Sequence, residues 1–70
     1  MTPEQFDALA QMMRLRASPS REALRMVLCD GLTQSAAAEQ AGIPRPNVTR
    51  QVASARRMMA LARVLTAPPP

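Results

Sequence analysis

Five arginines carry most of the chemistry available to the second half of this sequence. Arg45, Arg50, Arg56, Arg57 and Arg63 stand between residues 41 and 70 without one acid, a net charge of +5 there against −1 for residues 1–40. A guanidinium presents its donors in a fixed fork that fits phosphate oxygens and the O6/N7 edge of guanine. Arginine that meets a polyanion also releases condensed counterions, which drives association. The same residues suit a plain solvated helix face, and charge alone does not separate these readings.

Other chemistries lack their residues. The 70-residue chain has no histidine and one cysteine, Cys29. That removes imidazole bases and Ser-His or Cys-His nucleophilic sites. It also leaves no intrachain disulfide and too few ligands for structural zinc. The acids Glu4, Asp7, Glu22, Asp30 and Glu39 are spread over the first forty residues with no evident pair. Two glycines, Gly31 and Gly42, are too few for a phosphate-cradling loop. Neither an enzyme nor a cofactor or metal is expected.

The arginines act together only if a rigid element lines them up. Pro and Gly divide the chain into four helical stretches, and no segment alternates as a strand does. Thr2-Pro3-Glu4-Gln5 is a capping-box start. Phe6, Leu9, Ala10 and Met13 follow at helical spacing, so the first helix is expected from Pro3 to Arg16. Ser18-Pro19 repeats the start signal for a second helix to Asp30, with Ala23, Leu24, Val27 and Leu28 inward and Gly31 ending it. Thr33 caps a short third helix to Ala41, closed by Gly42. The fourth begins near Arg45 and reaches Leu65, with Pro44 and Pro46 before or within its first turn, where a missing N–H is harmless.

Residues Gln34 to Ala53, QSAAAEQAGIPRPNVTRQVA, meet the demands of a helix-turn-helix. A small residue is needed where the second helix crosses the first, and Ala38 is there. Gly42 supplies the turn residue that accepts positive φ. Ile43 then plugs the core, and Val48 and Val52 anchor the second helix. Gln51 departs from the pattern, at a position that is often apolar. The same Ala-Gly-Ile run also fits an ordinary helix junction in a small bundle.

Anchoring Val48 and Val52 inward turns Pro46, Thr49, Arg50, Ala53 and Arg57 outward, with Arg45 and Asn47 at the helix tip. In the usual docking this end enters the major groove. Arg50 is the first candidate for base readout, followed by Arg45 and Thr49. Asn47 suits an adenine edge or a phosphate. Gln34, Arg56 and Arg57 suit the backbone, where contacts position without specifying.

The expected fold class is therefore all-α, a four-helix helix-turn-helix DNA-binding domain with a long fourth helix. It spans residues 1–66, with the helix-turn-helix at 33–57 and a disordered or polyproline-like tail at 67–70. A domain this small buries only roughly 60% of its unfolded surface, and self-association is the expected supplement. Met58, Leu61 and Leu65 form a second apolar stripe displaced from the Val48–Val52–Met59 seam. It is assigned to a two-fold dimer contact, against the alternative of burial within one chain.

The sequence resembles the KorA/TrfB group of plasmid-encoded transcriptional repressors over about residues 2–65. The resemblance lies in Thr2-Pro3-Glu4-Gln5-Phe6, in Ala23 through Gly31 (ALRMVLCDG), and in Gln34-Ser35-Ala36-Ala37-Ala38 through Gly42–Val52 (GIPRPNVTRQV). PapB-like regulators of fimbrial operons are similar over the middle section. The resemblance implies a homodimer on a palindromic operator, repressing promoters that often include its own, with Arg50 and its neighbours on the recognition helix. The group's namesake carries a further C-terminal dimerisation region without counterpart here, and the stripe on the fourth helix is its expected replacement.

Three other readings stand beside this one. A small helical interaction module, an inhibitor or adaptor, would present the basic fourth helix to an acidic partner. A basic amphipathic helix on a membrane surface is less attractive without lysine or aromatic anchors. A recombinase or sigma-like accessory remains within DNA binding. No apolar run approaches the roughly 20 residues that span a bilayer, and the N-terminus does not read as a signal peptide. A cytoplasmic protein with a reduced, buried Cys29 is expected.

Overall fold

The computed structural model describes residues 1–69. Four helices follow one another: α1 (Pro3–Met12), α2 (Pro19–Leu28), α3 (Gln34–Ala41) and α4 (Arg45–Thr66). No strand occurs among the described residues.

Three of the four helices start where a side-chain oxygen satisfies an otherwise unpaired N–H. At α1, the Gln5 N–H donates to Thr2 Oγ1 at 3.2 Å and the Thr2 N–H donates to Gln5 Oε1 at 3.0 Å, a complete capping box. Ser18 Oγ accepts from the Arg21 N–H, and Thr33 Oγ1 from the Ala36 N–H, each at 3.1 Å. The fourth start works differently. Extended Pro44 precedes α4, no side chain caps it, and Pro46 in its first turn has no N–H to satisfy.

Two helices stop earlier than periodicity predicts. α1 ends at Met12 rather than Arg16 because Arg14 adopts φ +55°. Its N–H then donates to Gln11 O at 3.1 Å and the Leu15 N–H to Ala10 O at 2.9 Å. This Schellman pair turns Leu15 back onto the core, offsetting the strain of a non-glycine residue in the left-handed region. α2 ends at Leu28, not Asp30. Gly31 at φ +73° lets the Leu32 N–H reach Met26 O at 3.1 Å, so Leu32 too packs inward. α3 ends as expected at Gly42, φ +70°, where the Ile43 N–H donates to Ala38 O at 3.1 Å.

α2 is the central helix, packed on both α3 and α4, with α1 laid against α2 and α4. The core is Phe6, Leu9, Ala10, Ala23, Leu24, Ala37, Ala38, Val48, Val52 and Ala55. Half of these are alanines, so the helices meet with little between them. The apolar driving force falls mainly on Phe6, Leu9, Leu24, Val48 and Val52, each worth about 1.5–3 kcal/mol when buried. Val27 and Leu28, expected inward, and Ile43 pack against this core only partly buried. Cys29 is half-buried rather than buried, its Sγ 4.0 Å from Thr2 O.

The molecule measures 45 × 20 × 20 Å with a radius of gyration of 12.6 Å. A spherical chain of this length would have about 11 Å. The excess is α4, roughly 33 Å long at 1.5 Å per residue, whose last two turns leave the bundle behind. Residues 67–69 continue past it without helix; Pro70, the last residue of the expected tail, lies outside the described residues. No helix among the described residues is long and apolar enough to cross a membrane.

Candidate nucleic-acid interface

The joint between α3 and α4 is built from small and β-branched residues. Ala37 and Ala38 are buried on α3. Val48, Val52 and Ala55, at offsets of four and three, bury one face of α4 completely or nearly so. Val48 and Val52 were legible as anchors. Ala55 was not singled out, although it sits one turn beyond Val52 on the same face. Met59 continues this seam, half-buried against the core.

With that face fixed inward, Pro46, Thr49, Arg50, Ala53 and Arg57 are exposed together on the opposite side. Arg45 at the tip and Arg56 are exposed as well, while Asn47 and Gln34 are half-buried. Two side-chain contacts organise the group. The Thr49 hydroxyl lies 2.8 Å from Gln34 Oε1, to which it donates, and 3.3 Å from Arg45 O. The first turn of α4 is thereby tied to the first residue of α3. Arg50 donates through Nη2 to Asn47 Oδ1, which holds the guanidinium back over the start of α4.

Arg50 also borders two shallow hollows. One, of about 450 Å³, is lined by Arg45, Pro46, Thr49 and Arg50. The other, of about 290 Å³, is lined by Ser20, Asn47, Arg50, Gln51 and Ser54. Sequence reasoning missed Ser20, Gln51 and Ser54 as surface neighbours of Arg50. Asn47, Gln51 and Ser54 share a helical flank at offsets of four and three, so that signal was present. Ser20 joins them only because α2 packs across α4, which no local pattern announces.

The electrostatics divide the arginines of α2 and α4 into two classes. On α2, Arg21 lies 3.5 Å from Asp7 of α1, with its guanidinium 5.8 Å from the centre of the Phe6 ring. Arg25 contacts both Glu22 at 2.5 Å and Asp30 at 3.0 Å. The hydrogen bond from Arg25 holds the Glu22 carboxyl below the usual glutamate range, and the same bond pushes Arg25 further up. Arg45, Arg50, Arg56, Arg57 and Arg63 have no acidic partner within ion-pair distance among the described residues.

The second apolar stripe is rearranged relative to expectation. Met58 packs partly against the chain's own core, because it lies within reach of the bundle before α4 emerges. Leu61 and Leu65 are 57% and 87% exposed, and Val64, not included in the expected stripe, joins them at 73%.

The chain matches no protein-family model, no curated protein and no solved structure.

Proposed function

We propose that this chain is a sequence-specific, double-stranded-DNA-binding transcriptional repressor of the KorA/TrfB kind. In this reading α3, the Gly42 turn and α4 are its helix-turn-helix, and the N-terminal half of α4 is its recognition helix. One observation carries the proposal. The outward face of α4 carries Arg50 and Arg57, with Arg45 at its tip and Arg56 on its flank, none of them paired with a carboxylate among the described residues, on a helix whose opposite face is locked into the core by Val48, Val52 and Ala55. A rigid, uncompensated positive ridge fits a polyanion better than it fits solvent alone.

The roles follow from position. Arg50, centred between the two hollows, reads a base edge, and Arg45 and Thr49 extend the reading on the side of the helix tip. Asn47 orients Arg50 and is free to exchange that bond for an adenine edge or a phosphate. Pro46 and Ala53 offer small apolar surfaces to thymine methyl groups. Gln34, Arg56 and Arg57 hold the backbone and set the register. Repression then needs only occupancy of a promoter, with no ligand pocket or catalytic group.

Selection of bound duplexes from a random pool tests the reading. The expected result is convergence on one site whose strongest positions are lost when Arg50→Ala is used instead. Recovery of duplexes with no common sequence, released at moderate salt, would leave only a basic surface.

A further inference from the structure

Gln51 stands where a helix-turn-helix often carries an apolar residue, and no role given to the recognition helix uses it. It is half-buried, and with Ser20, Asn47, Arg50 and Ser54 it lines the hollow of about 290 Å³ where α2 packs across α4. All five side chains are polar, and none is an acid. Those of Ser20, Gln51 and Ser54 make no hydrogen bond among the described residues. Asn47 accepts from Arg50 through Oδ1, which leaves its amide N–H groups to donate elsewhere. Two hydroxyls, two amides and one guanidinium from two helices thus converge without a negative charge among them. That donor set suits an oxyanion. The hollow on the other side of Arg50 differs, because Pro46 has no side-chain donor and the Thr49 hydroxyl is already bonded to Gln34.

We propose that this hollow seats one phosphate of the DNA backbone, the Ser20 and Ser54 hydroxyls and the Asn47 and Gln51 amides donating to its oxygens. A seat of this kind rests on the DNA-binding reading and deepens it, by adding Ser20, Gln51 and Ser54 to the bound surface. Arg50 turns its fork to a base edge and still supplies positive charge at the rim. Asn47 couples the two contacts, holding Arg50 through Oδ1 and the phosphate through its N–H groups. Gln51 then departs from the apolar pattern because a leucine there would remove a donor from the seat.

The placement of the hollow selects a backbone phosphate over a base. A helix about 10–12 Å across fills a major groove about 12 Å wide, so a sugar–phosphate strand runs along each of its sides. At about 100° per residue, Thr49 and Arg56 share one flank of α4, while Asn47, Gln51 and Ser54 share the flank roughly opposite. α3 adjoins the first flank through the Gln34–Thr49 contact, and α2 adjoins the second through Ser20. Gln34 and Arg56 therefore face one strand, and the hollow faces the other. It is set back by roughly 90° from the outward face that meets the groove floor, beyond the reach of a base edge. A phosphate on each side would fix the helix in the groove and hold Arg50 in register.

Methylphosphonate linkages, which remove the charge of single phosphates, test the seat with the full chain and the selected duplex. Scanned along both strands, they should find a phosphate whose neutralisation weakens wild-type binding about ten-fold. Gln51→Leu restores the apolar type and should fold as stably as wild type. It should nevertheless weaken binding to selected and random duplexes alike, about ten-fold, with base preference unchanged. The same methylphosphonate should then cost Gln51→Leu little more, since both changes remove one contact. Ser20→Ala, on a different helix, should show the same coupling to the same phosphate, which no local change in α4 would produce. If the losses add at every phosphate, or if neither variant weakens binding while wild type still discriminates between duplexes, the seat is overturned and the DNA reading stands. If wild type binds no duplex, both fall. Saturable shifts of the Ser20 and Gln51 amide signals in millimolar inorganic phosphate, without methylphosphonate coupling, would assign the hollow to a free oxyanion and overturn the proposal as well.

Discussion

In α2, Arg21 and Arg25 face Asp7, Glu22 and Asp30, while its apolar residues Ala23 and Leu24 are sealed in the core. In α4, five arginines have no acid within ion-pair distance among the described residues, and Leu61, Val64 and Leu65 face solvent. Both helices carry arginines and apolar residues, but α2 holds Glu22 and α4 holds no acid. In α2 charge and apolar surface are satisfied within the chain, as befits a scaffold. In α4 both are left open: charge along the exposed length of the helix, apolar surface at its protruding end. Self-sufficiency in one element and two separate deficits in the other make α4 the element that meets partners.

The strongest way to break this comparison is through stability. Leu24→Ala should cost about 2–5 kcal/mol, a large fraction of the ~4–10 kcal/mol expected for a chain of this length. Leu65→Ala should change monomer stability by no more than about 0.5 kcal/mol. Thermal melts followed by circular dichroism at low concentration check both. Equal effects would mean that the end of α4 belongs to the core.

Two of the three left-handed positions, Gly42 and Arg14, give smaller effects, opposite in sign to each other. Gly42→Ala meets no neighbouring atom within 4 Å, so its cost is conformational alone, about 1–2 kcal/mol. Arg14 sits in the same region at φ +55°, and Arg14→Gly should stabilise by up to about 1 kcal/mol. Denaturant midpoints read both changes. A destabilised Arg14→Gly would show that this side chain holds the turn through contacts rather than straining it.

The smallest expected effect is the pH dependence of the α2 ion pairs. Because Arg25 lowers the Glu22 pKa in the folded chain, Glu22 adds stability above its unfolded value of about 4.5, and this is lost as pH falls through the lower folded value. Melting temperatures of wild type and Glu22→Gln should therefore differ slightly near neutrality and converge in acid. Solvent screening keeps the difference small. A gap that widens toward low pH would assign the pair the wrong sign.

Much of the fold was legible because it is written locally. Thr2, Ser18 and Thr33 cap the helices their positions announced, and Gly42 turns the chain where a positive φ was required. The early stops of α1 and α2 were not legible. Met13 continues an apolar period and Arg14 gives no warning of a left-handed turn, so only the return of Leu15 and Leu32 to the core explains these ends. The outward group on α4 followed from placing Val48 and Val52 inside. Its surroundings did not, because Ser20 arrives from α2 and the Gln34–Thr49 contact joins residues 15 apart. Met58 and Val64 changed places relative to the expected stripe for a similar reason: where α4 leaves the bundle depends on the length of its neighbours.

Fluorescence anisotropy with the selected duplex and a random one, at about 50 and 200 mM salt, tests most directly whether the open charge of α4 reads DNA. Wild type should prefer the selected duplex by at least about 10³-fold and weaken steeply with salt. Arg50→Ala should lose about 1–3 kcal/mol on the selected duplex and much less on the random one. Arg25→Ala, whose charge is already satisfied, should bind like wild type. If Arg25→Ala weakens binding as much as Arg50→Ala, or if wild type binds both duplexes equally, α4 is not a reader of sequence.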